Sequence, residues 1–242
     1  MKRKFAAFDI DGTLFRSGLY REVVYELIRM EALPKKVLQA FAAKEQAWRK
    51  RSHGNAFYEF DRAMFEALDD HLPKLKVSYF DLAVERVIKA HRDNVYVYTR
   101  NLTRSLKAEG YMLIAISGSQ TEVVEPFAKH YKFDLWVGAH YHRSGDYFTG
   151  EVMKTHKSKD LFLKQLIETH NLTLQGSYGV GDSGGDTEML SMVENPIAFN
   201  PEQTLFEQAT KKGWKIVIER KNMIYELSPG SKEYTLSSTS TH

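Results

Sequence analysis

The sequence contains no cysteine among its 242 residues. This absence excludes disulfide bonds, thiolate metal sites and a cysteine nucleophile, and it fits a reducing cytoplasm. No run of about 18 apolar residues occurs, so we expect no membrane span. The opening MKRKFAAF begins like a signal peptide, but its apolar stretch is too short and acidic residues interrupt it. We therefore expect a soluble, cytoplasmic protein.

A large excess of charge of either sign is also missing. The 34 Lys and Arg residues nearly balance the 31 Asp and Glu residues, which leaves a formal net charge of +3. Since no long basic run accompanies this small excess, we expect no nucleic-acid partner. The length allows one large domain, or a core with a smaller inserted module. Nothing in the pattern indicates an oligomeric state.

Helical patterns dominate residues 17–91. Four segments there place apolar residues at helical spacing among charged ones. Pro34, Gly54 and Pro73 separate these segments. Because no strand pattern interrupts them, we predict a helical cap that forms a module of its own and is inserted after the first strand.

Strands and helices alternate in the rest of the chain. Buried strands are predicted over residues 4–9, 111–117 and 177–182, and amphipathic helices alternate with them after the cap. This alternation indicates a parallel sheet that is covered on both faces. The predicted fold is therefore α/β, with a Rossmann-like parallel-sheet core formed by residues 1–16 and 92–227 and an inserted helical cap.

Two further expectations concern the second half of the chain. A hairpin is predicted around the Ser-Gly-Asp turn at residues 144–146, as part of the core. The segment WKIVIE is predicted to be the final strand of the sheet. The tail over residues 228–242 is rich in Ser and Thr, and we expect it to fray.

Polar and acidic residues follow three of the predicted strands. Asp9 and Asp11 follow the first, Ser117 ends the second, and Asp182 and Asp186 follow the third. In open parallel sheets the ligand crevice lies beyond the carboxyl ends of the strands, so these residues are expected to converge. Four carboxylates without His or Cys favour a hard cation, Mg²⁺ in particular.

This set of residues predicts chemistry on a phosphate ester. Mg²⁺ beside carboxylates usually bridges a phosphoryl oxygen, and the Ser117 hydroxyl with the amides that follow it would donate to phosphate oxygens. Lys159, at the start of the helix before the third strand, would add a cation. Asp9 would attack phosphorus to form an aspartyl-phosphate. Asp11 would protonate the leaving oxygen and later activate a water molecule.

The motifs DIDGTL, ISGS, a lysine and GDSGGDTEML, in this order, resemble those of the haloacid dehalogenase-like (HAD) hydrolase superfamily. The arrangement is similar to the phosphoserine-phosphatase-like branch (subfamily IB), in which a helical cap follows the first motif. The resemblance spans nearly the whole chain. It implies a HAD-like fold, Mg²⁺ as the cofactor and a phosphatase that acts on a small phosphorylated metabolite.

The resemblance also implies a role for each motif residue. Asp9 resembles the nucleophile, Asp11 the general acid/base and Lys159 the lysine of the third motif. The positions that hold the metal are matched by Asp9, Asp11 (through its backbone carbonyl), Asp182 and Asp186. The residues expected to bind the substrate are Thr13, Ser117, Gly118 and Lys159.

The third motif leaves a choice of residue, because KTHKSKD offers Lys154, Lys157 and Lys159. Lys159 best matches the family by its helix and its distance to GDSGGD. The first motif is more specific. An Asp two positions after the nucleophile is the phosphatase pattern of the family, so Asp11 indicates hydrolysis of a phosphate monoester.

The sequence departs from the serine-specific relatives at two positions. These relatives carry a cap glutamate that holds the substrate amine, and the usual offset falls on Gly18 here, with Glu22 close by. Gly185 stands where the relatives often have Asn. Phosphoserine-like substrates therefore remain open but are not favoured. A phosphotransferase of the same fold and a non-catalytic regulatory or binding protein are the alternative functions.

Two other groups of residues have simpler interpretations. His140 and His142 share one face of the predicted hairpin, with His156 nearby, and surface histidines are favoured over a transition-metal site. The segment WRKRSHG at residues 48–54 is favoured as a solvated helix end over a site for a phosphorylated substrate. The aromatic residues around it are expected to form the core of the cap.

Overall fold

The computed structural model describes residues 2–155, 158–230 and 233–241. The chain divides into two compact units. The first, called the core unit here, contains Met1–Gly18, Arg92–Ala139 and Lys154–His242. The second, called the helical unit, contains Leu19–His91 and His140–Met153.

Helices and strands follow one another along the chain in an order typical of an α/β protein. The strands are β1 (Arg3–Phe8), β2 (Met112–Gln120), β3 (Leu135–Ser144), β4 (Tyr147–Met153), β5 (Leu172–Gly181), β6 (Asn195–Phe199), β7 (Lys215–Arg220), β8 (Met223–Pro229) and β9 (Tyr234–Thr241). The helices are α1 (Leu19–Arg29), α2 (Lys35–Arg49), α3 (Ala56–Asp69), α4 (Val77–His91), α5 (Val97–Ala108), α6 (Thr121–His130), α7 (Lys159–Thr169), α8 (Thr187–Ser191) and α9 (Gln203–Lys212). Short 3₁₀ turns precede α4 and α8, at Leu72–Lys74 and Gly184–Asp186.

The sheet of the core unit has the strand order β3-β2-β1-β5-β6-β7-β8-β9. The strands from β3 to β7 in this order pair in parallel, and β8 and β9 continue the sheet antiparallel. The chain leaves β1 toward β2 and β3 and later returns to β5 on the other side of β1. The strand order therefore reverses next to β1, which is where open α/β sheets bind their ligands. This topology confirms the predicted α/β fold.

Residues 5–8 of β1 and 113–117 of β2 are buried, because parallel strands with helical crossovers are covered on both faces. Phe5, Ala7, Ile114 and Ile116 are fully buried, and they pack in one cluster with residues of α7, α8 and α9. Burial of such side chains contributes roughly 25 cal/mol per Å² of apolar surface. This packing fixes β1 and β2, whose carboxyl ends carry the predicted site residues.

The helical unit contains α1 to α4, as the apolar spacing predicted. Phe41, Phe60 and Phe80 are fully buried within it. Trp48 stacks on Phe60 with ring centroids 5.0 Å apart. These aromatic side chains form the core of the unit, in agreement with the simpler interpretation given above.

The prediction that the hairpin belongs to the core was wrong. Residues His140–Met153, which include β4, belong to the helical unit. The Val77 amide donates to the Asp146 carbonyl at 2.9 Å. The Phe80 ring lies 5.3 Å from the ring of Phe148, measured between centroids. A hydrogen bond and aromatic packing to the start of α4 thus hold the hairpin, and neither is visible in the local sequence pattern.

The prediction of a frayed tail was also wrong, because β7 is followed by two more strands. Strand β9 pairs with β8 from Met223↔Thr241 to Pro229↔Tyr234. The Tyr234 hydroxyl lies 2.8 Å from the Ala209 carbonyl and 2.7 Å from the Trp214 carbonyl. Strand pairing and these contacts of the Tyr234 hydroxyl order a segment whose polar composition suggested fraying. In the described part of the chain, no helix is long and apolar enough to cross a membrane.

Candidate active site

The candidate site lies at the carboxyl ends of β1, β2 and β5, all within the core unit. Asp9 directly follows β1, and its amide donates to the Val180 carbonyl of β5 at 2.9 Å. Asp182 directly follows β5, and Ser117 lies near the end of β2. Because β1 lies between β2 and β5 in the sheet, residues distant in sequence meet at one edge.

Lys159 connects two of the acidic residues. Its Nζ lies 2.5 Å from Oδ1 of Asp9 and 2.6 Å from Oδ1 of Asp186. All three side chains are buried, with exposed fractions of 6%, 4% and 0%. Of the other lysines considered for this position, Lys154 is exposed and Lys157 lies outside the described residues. The structure therefore brings Lys159 to the acidic cluster, as the third motif predicted.

Asp186 is held by the loop that contains it. Its Oδ2 accepts from the Ser183 amide at 3.0 Å, the Ser183 hydroxyl at 2.9 Å and the Asp182 amide at 3.2 Å. Gly181 is required beside it, because a Cβ there would lie 2.5 Å from the Asp186 side chain. Both carboxylate oxygens of Asp186 thus have partners within the protein, which fixes its orientation.

The turn after β1 positions Asp182 from the other side. The Ile10 carbonyl accepts from three successive amides, those of residues 13–15, which closes a tight turn. Gly12 has φ +84°, and a Cβ there would lie 2.1 Å from Oδ2 of Asp182. The Thr13 hydroxyl donates to Oδ1 of Asp182 at 3.3 Å. Thr13, predicted to bind substrate, is fully buried and uses its hydroxyl within the protein.

Two serine hydroxyls hold the side chain of Asp11. The Ser117 and Ser119 hydroxyls donate to the same carboxylate oxygen, Oδ2, at 2.6 and 2.8 Å. The Thr155 hydroxyl donates to the Ser117 carbonyl at 2.5 Å and supports this end of β2. Gly118 lies between the two serines and is partly exposed. The predicted Asp11 and Ser117 therefore lie together.

Burial dominates the electrostatics of the cluster. It raises the pKa of Asp9 to about 7, since the lowering effect of Lys159 is smaller and Asp186 and Asp11 repel a further negative charge. Burial and the neighbouring Asp9 and Asp186 raise the pKa of Asp182 well above its usual range. Burial alone would lower the pKa of Lys159, but the two adjacent carboxylates raise it, so the lysine remains a cation.

The donor set of the cluster fits a hard divalent cation. One carboxylate oxygen from each of Asp9, Asp182 and Asp186 lies within 4.8 Å of the others. The cluster contains three carboxylates and a single lysine, so it has excess negative charge that a cation would compensate. Oxygen donors without His or Cys suit Mg²⁺ better than a transition metal.

Sequence reasoning missed several hydroxyl residues that support the site. Thr99 is fully buried and donates to the Thr13 carbonyl at 2.9 Å. Thr155, Ser119 and Ser183 contact Ser117, Asp11 and Asp186, as described above. Ser119 and Ser183 lie inside the quoted motifs and could have been considered from the sequence. Thr99 lies in α5, where no motif points to it.

The remaining candidates that the structure describes lie in the helical unit. The rings of His140 and His142 are 4.8 Å apart between centroids and exposed, and no third His, Cys, Asp or Glu joins them among the described residues. His156 lies outside those residues. Arg49 is paired with Glu45 at 2.6 Å, which fits a solvated helix end. Glu22 lies in the first turn of α1, with its Oε2 3.9 Å from Nε2 of His91.

The core unit is a doubly wound α/β fold with an aspartate–lysine cluster at the carboxyl ends of its strands. This combination is typical of α/β enzymes that have an acidic, metal-compatible site. The family follows from a comparison with known proteins. The model of the haloacid dehalogenase-like hydrolase family matches residues 6–191. The chain belongs to this family, and it is therefore an enzyme of the hydrolase class, as the motifs predicted.

Two curated proteins are similar in sequence. A protein named histidinol-phosphatase, from Neisseria meningitidis serogroup C (strain 8013), is 24% identical over 234 residues, which cover 89% of this chain and 98% of that protein. A Streptomyces azureus protein named inhibition of morphological differentiation protein is 29% identical over 126 residues. This second match covers 51% of this chain and 46% of the Streptomyces protein.

Solved structures share the fold over nearly the full chain. A protein of unknown function from Bordetella pertussis Tohama I has a TM-score of 0.69 and 19% identity, with 90% of this chain and 99% of that chain covered. A phosphoserine phosphatase, solved as a phospho-aspartyl intermediate analogue, has a TM-score of 0.61 and 20% identity, with 91% and 95% covered. The phosphoserine-phosphatase-like fold predicted from the motifs is confirmed, and phosphatases are among the relatives in sequence and in fold.

Proposed function

We propose that the protein is a Mg²⁺-dependent phosphatase that hydrolyses a small phosphate monoester through an aspartyl-phosphate on Asp9. The observation that carries the proposal is the buried Asp9 carboxylate, held by Lys159 at 2.5 Å at the carboxyl end of β1. Membership of a hydrolase family and the phosphatases among its relatives support it.

The metal would be held by the Asp9 and Asp182 carboxylates and the backbone carbonyl of Asp11. Asp186 would act through orientation or through water, since both of its carboxylate oxygens already accept hydrogen bonds within the protein. When bound, Mg²⁺ supplies positive charge opposite the oxygens of the phosphoryl group. The protein's own residues supply the nucleophile and the proton transfers.

In the first half-reaction, a carboxylate oxygen of Asp9 attacks phosphorus, and the bond from phosphorus to the ester oxygen breaks. Asp11 gives its proton to the departing oxygen, so the product leaves as an alcohol. Lys159 holds the Asp9 side chain and offsets its charge. The Ser117 hydroxyl and the Gly118 amide would donate to phosphoryl oxygens.

In the second half-reaction, water attacks phosphorus of the aspartyl-phosphate while Asp11 takes up a proton from it. The bond from phosphorus to the Asp9 oxygen breaks, which releases inorganic phosphate and restores the carboxylate. With an alcohol instead of water, the same step would make the protein a phosphotransferase. Free phosphate as the product, with added glycerol left unphosphorylated, would distinguish the two.

The substrate is proposed to be a small phosphorylated metabolite. The relative named histidinol-phosphatase makes amino-alcohol phosphates a rational part of the first substrate panel. Phosphoserine belongs in the panel but is not favoured, because Gly18 takes the position at which serine-specific relatives carry a glutamate. The cytoplasmic location stays a prediction from the sequence.

The test is release of phosphate from a panel of phosphate monoesters, with Mg²⁺ and with EDTA. Asp9→Asn removes the nucleophile, and we expect at least about a 10³-fold loss of turnover, since nucleophile and base act as one unit. Asp93→Asn, at a carboxylate with 78% of its side chain exposed, is the matched control and should keep the wild-type rate. Wild-type turnover by Asp9→Asn, or activity indifferent to EDTA, would contradict the proposal.

A further inference from the structure

The Asp11 carboxylate receives two hydroxyl donors on a single oxygen. Ser117 donates to Oδ2 at 2.6 Å and Ser119 donates to it at 2.8 Å. Both serines are buried, with exposed fractions of 0% and 1%. The Ser119 amide also donates to the Ser117 hydroxyl oxygen at 2.9 Å, so that oxygen already accepts one bond.

The Ser117 and Ser119 hydroxyls differ in the other hydrogen bonds that they are expected to make. Ser117 matches the motif position that binds phosphate, and a hydroxyl has only one proton to donate. Ser117 therefore cannot donate to Asp11 and to a phosphoryl oxygen at the same time. Ser119 carries a second, independent donor on the same carboxylate oxygen.

We propose that Ser119 is a positioning residue, which holds the Asp11 carboxylate when the Ser117 hydroxyl turns to the phosphate. This inference rests on the proposed function. Ser119 does not contact the reacting atoms; it acts through Asp11. Its loss leaves the nucleophile, the lysine and the acidic cluster in place and weakens the support of the proton donor during product departure.

The consequence depends on the leaving group. An alkyl phosphate expels a strongly basic alkoxide that needs a proton from Asp11, whereas p-nitrophenolate departs without one. A positioned acid contributes about 10²–10⁴-fold, so a misplaced one should cost about 10-fold in kcat/KM for ethyl phosphate. The same variant, Ser119→Ala, should change kcat/KM for p-nitrophenyl phosphate by less than about twofold, since kcat/KM reports only the steps up to leaving-group departure.

Three further variants separate positioning from structural damage. Ser119→Thr keeps a hydroxyl and should restore the wild-type ratio of the two kcat/KM values. Ser177→Ala removes another fully buried serine, whose hydroxyl donates to the Leu174 carbonyl at 2.6 Å, and should leave the ratio unchanged. Ser117→Ala removes a phosphate donor and should lower both values together. Equal losses with both substrates, or no loss, in Ser119→Ala would overturn the inference.

A crystal structure with Mg²⁺ and inorganic phosphate tests the same point without turnover. The Ser117 hydroxyl should lie on a phosphate oxygen while Oδ2 of Asp11 stays within hydrogen-bond distance of the Ser119 hydroxyl. Separation of Asp11 from Ser119, or Ser117 still bound to Asp11, would refute the inference. If turnover proves independent of Asp9, the proposed function fails instead, and this structure still decides the role of Ser119.

Discussion

At the scale of single residues, the site depends on a few close approaches that allow no larger side chain. Gly12 has φ +84°, and its hydrogen takes the place where a Cβ would lie 2.1 Å from Oδ2 of Asp182. Gly110 has nearly the same backbone angle, φ +85°, but nothing lies within 4 Å of its Cβ position. Alanine variants of the two glycines therefore distinguish the effect of backbone strain from the effect of displacing Asp182.

Gly110→Ala should lose about 1–2 kcal/mol of stability, since it places an alanine in the left-handed region, and Gly12→Ala should lose more, since its Cβ also collides with Asp182. Only Gly12→Ala should also lose most of the phosphatase activity, because it pushes the Asp182 carboxylate away. Urea unfolding and kcat/KM for p-nitrophenyl phosphate measure the two effects. Equal activity in the two variants would show that Asp182 tolerates the displacement.

The residue scale is also where the sequence was most informative. The acidic residues follow apolar strands, so their convergence followed from the rule for parallel sheets, whereas Lys159 was chosen among three lysines by its match to the family motif. The partners of the hydroxyl groups did not follow. Ser119 and Asp11 are 108 residues apart, and their contact depends on the register of β1 against β2, which no local pattern shows.

At the scale of elements, long-range pairs connect helices that look independent in sequence. Glu26 of α1 accepts from Arg29 at 2.7 Å and from Arg86 of α4 at 3.3 Å. Burial by itself would raise the pKa of Glu26, but the two arginines outweigh it and lower the pKa below its usual range. The ion pair between Glu26 and Arg86 therefore links α1 to α4 only while the Glu26 carboxyl is ionised.

The pKa of Glu26 is lower in the folded state than in the unfolded state, where it is about 4.3. The stabilisation of the fold by ionised Glu26 is therefore fully present above the unfolded pKa, and it is lost as the pH falls through the folded-state pKa. Glu26→Gln should cost no more than about 1 kcal/mol at pH 7 and progressively less below pH 4. Urea unfolding across this pH range measures it. Glu85→Gln, at an exposed glutamate of α4, is the control and should match the wild type throughout.

Strand β9 is a second case in which an element depends on distant partners. Its Tyr234 hydroxyl lies within 2.8 Å of the Ala209 and Trp214 carbonyls, at the end of α9 and the start of β7. Tyr234→Phe should cost about 1 kcal/mol in urea unfolding, since the hydrogen bond of the hydroxyl is lost. Tyr225→Phe, at a tyrosine that is 38% exposed, should be neutral. Equal effects would mean that the hydroxyl does not anchor β9.

At the scale of the whole molecule, the acidic cluster should make stability depend on the metal. A ligand that binds only the folded state stabilises it by about 2.7 kcal/mol at a concentration of 100 times its Kd. Mg²⁺ should therefore raise the thermal midpoint of the wild type, and Asp182→Asn should abolish most of the rise. Asp93→Asn should keep it. An equal rise of the thermal midpoint in Asp182→Asn would show that the ion binds elsewhere.

The sequence by itself determined the α/β fold, because alternating apolar strands and amphipathic helices have few ways to bury their apolar faces. It also placed the acids, since they follow predicted strands, and it placed the lysine through the match to the family motif. The tertiary structure decided which unit holds the hairpin, whether the polar tail is a strand, and which hydroxyls hold Asp11. Those outcomes depend on side chains and carbonyls brought together across long stretches of chain, where hydrogen-bond geometry and burial outweigh local propensity.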